Sequence, residues 1–419
     1  MRRKCITQGN CGVRTVKVFR RPMNRRTLLS ASAAAGITVL ASTSAPAQAA
    51  GRKIKVGFAG CGGRGGFVAD IFREDGGYEF TAAADYFEDR VSAFGEKFGV
   101  PADKRFTGLD GFKKMLASGI DAVAIHTPAY FHPEQSALAL EAGKHVFVAK
   151  PVAVDVPGSL TIGELGKKAA AQKLVMLVDF QSRGNAVFTE ALTRVKSGAM
   201  GELTYGECIY EFGELPAQVP DEKTAEDCLK NWVQHKSLSG DICVEQNIHS
   251  LDITAWAWGP PVRATGFGSR RVKTGPGDTS DHYNVLFEYA GGGSVAFMSR
   301  QYNAWGAPGL VIRNRHFGTK GALETEFGGL VNLRAEDSSK VFRGKTEGLY
   351  KEGSVQQVRI FRENILAGKY DNATVPNAVE TNLLCLFARF AAEKKRTVTW
   401  EELLKDTTKA APDLSGLKA

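Results

Sequence analysis

The chain has 419 residues, with 54 Lys or Arg against 45 Asp or Glu and a formal net charge of +9. Nine of the basic residues and none of the acids lie in the first 49 positions, so the remaining 45 bases equal the 45 acids and the rest of the chain is neutral. The basic isoelectric point therefore belongs to the leading segment, and composition excludes the charge footprint of a nucleic-acid-binding protein.

Within that segment, Asn24-Arg25-Arg26-Thr27-Leu28-Leu29 precedes an Ala-rich, mildly apolar stretch to about Ala45, and Ala47-Gln48-Ala49 offers a small-residue cleavage site. This pattern reads as a twin-arginine export signal with a periplasmic or extracytoplasmic destination, and Met23 is an alternative start. The rival reading, a retained membrane anchor, is weakened because Ser and Thr interrupt the apolar stretch, leaving it marginal for roughly 30 Å of hydrocarbon. Beyond the leader, the five cysteines Cys61, Cys208, Cys228, Cys243 and Cys385 are scattered and lack any C-x-x-C pair. They suggest neither a disulfide framework nor structural zinc.

The folded part opens on a strand from Lys55 to Ala59 that runs into Gly60-Cys61-Gly62-Gly63-Arg64-Gly65, a G-x-G-x-x-G turn. In such a turn the first glycine permits the tight bend, the second lets a pyrophosphate approach the backbone, and the third lets the following helix pack closely. The next strand, Phe80 to Ala84, ends in Asp85, about where an acid meets the adenosine ribose hydroxyls. A glycine-rich turn without a ligand is the bland alternative. Further strands are expected at Ala122 to His126 and Val146 to Val148, with a helix from Pro133 to Ala142. A second helix near Ser159 to Gln172, the strand Leu174 to Val178 and a helix at Ala186 to Lys196 complete the unit. Alternating strands and helices predict a parallel, doubly wound sheet.

After Gly201 longer alternating strands are expected at Leu203 to Tyr210, Val262 to Phe267, Tyr283 to Tyr289 and Ser294 to Arg300. They imply a large, mostly antiparallel sheet, covered by helices at Cys243 to Trp258 and Ala378 to Lys394. The expected division is a leader at 1–49, a dinucleotide-binding domain at 50–180 and an α+β domain at 181–419, whose last helix packs back on the first.

Two strand ends point chemistry into the cleft, where ligands of open α/β sheets bind: Thr127-Pro128 with His132, and Ala149-Lys150-Pro151. Lys150 precedes a proline on a stiff, extended backbone and projects an ammonium, unless it is simply a solvated lysine. Farther on, Glu245 and His249 share one face of the expected helix, where an acid beside an imidazole suits a general base; a surface ion pair is the alternative. No third ligand for a metal is visible beside them, no H-E-x-x-H is present, and no G-x-S-x-G elbow indicates a serine hydrolase. Asp281-His282 and His316 either line the cleft or pair with neighbouring strands, while Trp256 and Trp258 read as core.

Taken together, the glycine turn, Asp85, Thr127-Pro128 with His132, Lys150-Pro151, the segment from Glu245 to Asp252 and Phe317-Gly318-Thr319-Lys320-Gly321 resemble the Gfo/Idh/MocA family. The likeness extends to an exported branch through Asn231-Trp232 and Leu238-Ser239-Gly240-Asp241. It implies a Rossmann domain, an NAD or NADP cofactor, and hydride transfer to or from a hydroxyl-bearing carbon of a sugar or cyclitol; the export signal in turn favours a tightly bound cofactor. By resemblance, Gly60, Gly62, Gly63, Arg64, Gly65, Asp85, Thr127, Pro128, His132, Lys150 and Pro151 contact the cofactor. Lys150 binds the reacting oxygen, His249 is acid and base, and Glu245 orients His249 or a nearby hydroxyl. Arg183, Asn247, Asp281 and His282 are candidate substrate contacts. Ala149 departs from the family's usual Glu, and Glu245 from its usual Asp. Asp85, followed by Tyr86 and Phe87, favours NAD over NADP, although Arg64 and Arg90 leave room for a 2′-phosphate. Two other readings stay open: an NAD-dependent glycosidase or lyase working through a transient keto-sugar, and a non-catalytic sugar-binding protein on a Rossmann frame. No membrane span is expected in the mature chain, and a homodimer or homotetramer is.

Overall fold

The computed structural model describes residues 51–307, 309–371 and 374–419, so the export signal read at 1–49 lies outside the described residues. The first sheet has six parallel strands: β1 (Ile54–Ala59), β2 (Tyr78–Asp85), β3 (Arg105–Thr107), β4 (Ala122–Ile125), β5 (His145–Ala149) and β6 (Met176–Asp179). Their order is β3-β2-β1-β4-β5-β6, the doubly wound arrangement in which the topology switches between β1 and β4. The central strand β4 and the edge strand β6 are buried at every position, as a sheet covered on both faces requires.

The second sheet has nine strands: β7 (Leu203–Phe212), β8 (Arg263–Ser269), β9 (His282–Glu288), β10 (Ser294–Gln301), β11 (Val311–Gly318), β12 (Gly321–Glu326), β13 (Leu330–Ala335), β14 (Phe342–Lys345) and β15 (Val398–Thr399). They run in the order β14-β13-β12-β11-β7-β10-β9-β8-β15. All adjacent pairs are antiparallel except β7 with β10, which the long connection through residues 213–293, β8 and β9 included, makes parallel. A turn at Gly291-Gly292-Gly293 joins β9 to β10, with the Tyr289 amide donating to Gly293 O at 2.8 Å.

Two differences from the sequence reading matter. The helix expected from Cys243 to Trp258 is two pieces, Ile242–Glu245 and Ile248–Trp258, interrupted at Gln246 and Asn247. A helix at Leu349–Ala367, not foreseen, covers the first sheet: Phe361 is fully buried and meets Phe147 with ring centroids 5.5 Å apart. The final long helix, Thr374–Lys394, also returns to the first domain, where Asn382 Nδ2 donates to Ala153 O at 3.1 Å. No helix among the described residues is long and apolar enough to cross a membrane.

Candidate active site

The glycine turn divides its labour as its spacing suggests. Gly60 has φ +85°, and a Cβ there would lie 2.5 Å from the carbonyl of His126; a Cβ on Gly65 would lie 1.8 Å from Gly60 O. These two glycines permit close backbone approach. Gly62 and Gly63 instead face open space, with nothing nearer to an added Cβ than Arg90 Nη1 at 3.8 Å from the Gly62 position. The helix Gly63–Asp75 begins there with no side-chain cap and no acid in its first turn, which leaves its terminal amides for an anion.

Beside the turn lies a cleft of about 590 Å³ whose walls include the glycines, Asp85, Phe87, Arg90, Thr127 and Pro128. Asp85 Oδ2 accepts the Cys61 amide at 2.7 Å and Oδ1 the Phe87 amide at 3.0 Å. Burial raises its pKa, and those two amide bonds oppose the rise. The glycine cradle, a capless helix N-terminus and a carboxylate at the end of β2 fit a dinucleotide. Arg64 also lines the cleft, but its guanidinium is ion-paired with Asp179, donates to Ser354 Oγ at 3.0 Å and sits 4.5 Å from the Tyr350 ring centre. Its charge thus ties the glycine turn to the 349–367 helix, while its Nη1 has no partner among the described residues.

Thr127-Pro128 forms part of the wall, with Thr127 Oγ1 donating to Gln135 Oε1 at 2.6 Å. His132 lies behind it, 1% exposed, with Nδ1 2.7 Å from Pro151 O and Nε2 2.8 Å from Thr127 O. Burial holds its pKa down to about 4, so the neutral ring donates to one carbonyl at a time. His132 braces the ends of β4 and β5 against each other and does not itself reach the cleft. Pro151 follows Lys150 through a cis bond and is buried.

Lys150, at the carboxyl end of β5, meets the second domain. Its Nζ donates to Glu245 Oε1 at 2.9 Å and to Glu245 O at 2.7 Å, with both side chains about one-tenth exposed. Burial raises the Glu245 pKa while Lys150 and Arg64 pull it down, and Glu245 Oε2 has no partner among the described residues. The break after Glu245 turns this carboxylate to Lys150, so it positions the lysine; the expected Glu245 to His249 orientation on one continuous helix is not what the chain adopts. His249 is half-buried, with its ring 5.2 Å from that of Phe327. Burial, and then the cations Lys150 and Arg64, place its pKa well below the ordinary histidine value. The segment is anchored by Asp241, which is buried at φ +80° and accepts from Ile242 N (2.7 Å), Ser280 N (2.8 Å) and Tyr283 OH (2.7 Å).

The four candidate substrate contacts separate sharply. Asn247, fully buried between Glu245 and His249 in sequence, has neither amide atom hydrogen-bonded among the described residues. Arg183, by contrast, pairs with buried Asp252 at 2.7 Å and lies over Trp256, so its charge is used in holding helices together. Asp281 is buried and accepts the amides of Arg271, Val272 and Lys273 as well as His282 Nδ1. This acid stitches the loop before β9, and His282 is its partner. His316 pairs with Trp258 Nε1 at 3.1 Å inside the core.

Several cleft residues carried no sequence signal. Gln218, Leu229 and Trp232 line it from the segment after β7, and Gln218 accepts from Arg90 Nη2 at 2.8 Å. The last residues return from the second sheet to the same place: Leu109 N donates to Lys418 O at 3.0 Å, Lys418 N donates to Tyr86 OH at 3.2 Å, and Leu414 and Ala419 line the cleft. A cleft-facing sequence of small and mixed residues has no periodicity to reveal it.

The fold and cleft define a two-domain α/β protein with a dinucleotide site at the topological switch of its parallel sheet. Residues 54–180 match the oxidoreductase family with an NAD-binding Rossmann fold (GFO_IDH_MocA), and residues 188–324 match the GFO/IDH/MocA C-terminal domain. The chain belongs to this family, and its first domain is the family's NAD-binding domain. Among curated relatives, a glycosyl hydrolase family 109 protein of a Shewanella species is 32% identical over 162 residues, which are 38% of this chain and 35% of the relative. An alpha-N-acetylgalactosaminidase of Shewanella oneidensis is 31% identical over 162 residues, with the same shares. The chain thus spans about a third of the length of these relatives. Among solved structures, levoglucosan dehydrogenase with NADH and levoglucosan superposes with a TM-score of 0.68 at 18% identity, covering 83% of this chain and 99% of that one. Aldose-aldose oxidoreductase from Caulobacter crescentus gives 0.67 at 20% identity, covering 83% and 100%. At such identities the likeness is one of fold.

Proposed function

We propose that the protein is an exported enzyme that moves a hydride between a hydroxyl-bearing carbon of a sugar or cyclitol and a tightly held NAD. The observation that carries this is the buried Lys150–Glu245 pair, whose lysine also acts electrostatically on His249, in a chain that holds a cleft shaped for a dinucleotide. Bound NAD supplies the hydride acceptor or donor. Glu245 holds the Lys150 ammonium, which stabilises negative charge developing on the substrate oxygen. His249, neutral at pH 7 because burial and two cations depress its pKa, takes the hydroxyl proton as oxidation proceeds and returns it in reduction. Asn247, with its buried amide unpaired, offers hydrogen bonds to a polyol. Asp85 favours NAD, since a carboxylate there repels a 2′-phosphate.

The twin-arginine pattern supports export of a folded protein with its cofactor aboard, and a resident cofactor favours a cycle that returns the hydride. The glycosidase names of the relatives favour a second reading, in which oxidation of the sugar acidifies a neighbouring C–H, the glycosidic group leaves, and the keto-sugar is reduced again. A sugar-binding protein without catalysis is the third. The exposed side chains Tyr205, Phe267, Leu286, Met298 and Phe317 on β7 to β11 make the open face of the second sheet the surface for a homodimer or homotetramer.

The test is to denature the purified protein with no nucleotide added and identify what is released, then to supply free sugars, sugar pairs and glycosides. Near-stoichiometric NAD with turnover of free sugars supports the dehydrogenase. Glycoside cleavage without net NADH supports the second reading. A protein that neither releases nor binds nucleotide sinks both.

A further inference from the structure

The segment after β7 carries three side chains that the proposed chemistry does not use. Glu222, Cys228 and His235 each turn one donor inward, and the carboxylate oxygen, thiol sulfur and imidazole nitrogen all lie within 4.8 Å of one another. Cys228 Sγ is 3.1 Å from Glu222 Oε1, and His235 Nε2 is 2.8 Å from Glu222 Oε2. Tetrahedral zinc, with bonds of roughly 2.0–2.3 Å, sets its ligand atoms roughly 3.3–3.8 Å apart. Side-chain rotations that move the donor atoms by up to about 1 Å bring the present cluster to that spacing.

The local structure fixes these donors together. Thr224 caps the helix Ala225–Lys230 through a reciprocal bond with Asp227, which sets Glu222 against Cys228. The turn Trp232–Gln234 then brings His235 back to the same point. Asn231 Nδ2 donates to Glu222 Oε2 at 3.1 Å and to Val219 O at 2.7 Å, so the carboxylate is oriented from outside the cluster as metal-bound carboxylates are. Glu222 and His235 side chains are only 14% and 17% exposed. A soft sulfur, an imidazole and one carboxylate make a set suited to zinc and unsuited to calcium or magnesium, which prefer oxygen throughout.

We propose that Glu222, Cys228 and His235 form a zinc(II) site with three protein ligands and a fourth position open to water. Binding displaces the Cys228 proton to solvent, and thiolate plus carboxylate balance the two charges of the ion. The site lies at the base of the segment that presents Gln218, Leu229 and Trp232 to the cofactor cleft. Zinc there staples that cover independently of the redox chemistry, and its binding needs neither nucleotide nor sugar.

The test strips the purified protein with a chelator and titrates it with zinc(II) and cobalt(II), using Cys228→Ser and His235→Ala as parallel variants. The expected result is one high-affinity zinc per chain and, with cobalt, a thiolate charge-transfer band in the near ultraviolet. Each variant loses at least about a hundredfold in affinity, and Cys228→Ser loses the band. The other cysteines beyond the leader are buried, so they do not supply it. If the protein takes up no zinc, or if both variants keep the same affinity, the cluster is a hydrogen-bonded staple only and the proposal fails. His235→Ala decides the matter should the serine variant fold poorly.

Discussion

At the scale of single residues, the proposed mechanism gives Lys150 and His249 different tasks. His249 has its pKa depressed by burial and by Lys150 and Arg64, so the base form persists below the ordinary histidine value of about 6.5. The acid limb of the kcat/KM profile is therefore expected below that value. His249→Ala should remove the limb and lower kcat by about 10²–10⁴, whereas a binding protein would change only in affinity for its sugar. Arg183 makes the contrasting case. Its guanidinium is held by Asp252 and Thr381, so Arg183→Met should cost about 3–5 kcal/mol of stability through the uncompensated buried carboxylate. Urea unfolding with and without sugar measures this, and a loss of sugar affinity at unchanged stability would restore Arg183 to the substrate site.

Among elements, the returning C-terminal stretch has the clearest consequence. Residues 410–419 pass from Asp155, which accepts the Ala410 amide at 2.8 Å, to the Tyr86 and Leu109 side of the cleft. Gly108 is tuned to that contact, since at φ +78° an added Cβ would stand 2.2 Å from Ala419 O. Removing residues 408–419 should raise the rate of NAD release by roughly tenfold or more, equivalent to about 1.4 kcal/mol or more, while leaving Lys150, Glu245 and His249 in place. Stopped-flow displacement of NADH by NAD checks it; an unchanged release rate would make the stretch a surface ornament.

For the whole molecule, burial of neutral imidazoles couples stability to pH. His126, His132, His249 and His316 all have lowered pKa values, His132 to about 4 and His316 to about 3. The unfolded chain binds protons at about pH 6.5 where the folded chain does not. Stability is thus present above about 6.5 and lost as pH falls toward those folded values, by about 1.4 kcal/mol per pH unit for each ring in its window. Asp85 and Glu245 act in the opposite sense, because the penalty on their buried charges is relieved in acid. Melting temperature should fall between pH 7 and pH 5. His316→Gln, which keeps an acceptor for Trp258, should flatten the fall; an unchanged slope would remove His316 from this account.

The sequence by itself determined the parallel sheet, the glycine turn, Asp85 and the strand ends carrying Thr127 and Lys150, because local spacing and backbone sterics dictate them within a few residues. The strands from Leu203 to Gln301 were legible for the same reason, through alternation. What tertiary structure alone decided is who meets whom. Glu245 turns to Lys150 because the chain breaks at Gln246, a choice made by the buried anchor at Asp241 and invisible to helical spacing. Arg64 and Arg183 are ion-paired with Asp179 and Asp252, partners distant in sequence that no local spacing reveals. The Leu349–Ala367 helix and the returning tail escaped notice because their apolar faces are completed by partners hundreds of residues earlier. Glu222, Cys228 and His235 follow no familiar spacing, and only the cap at Thr224 and the turn at Trp232 bring them together. Long-range packing and desolvation select among contacts that local chemistry leaves equivalent, and they complete the site.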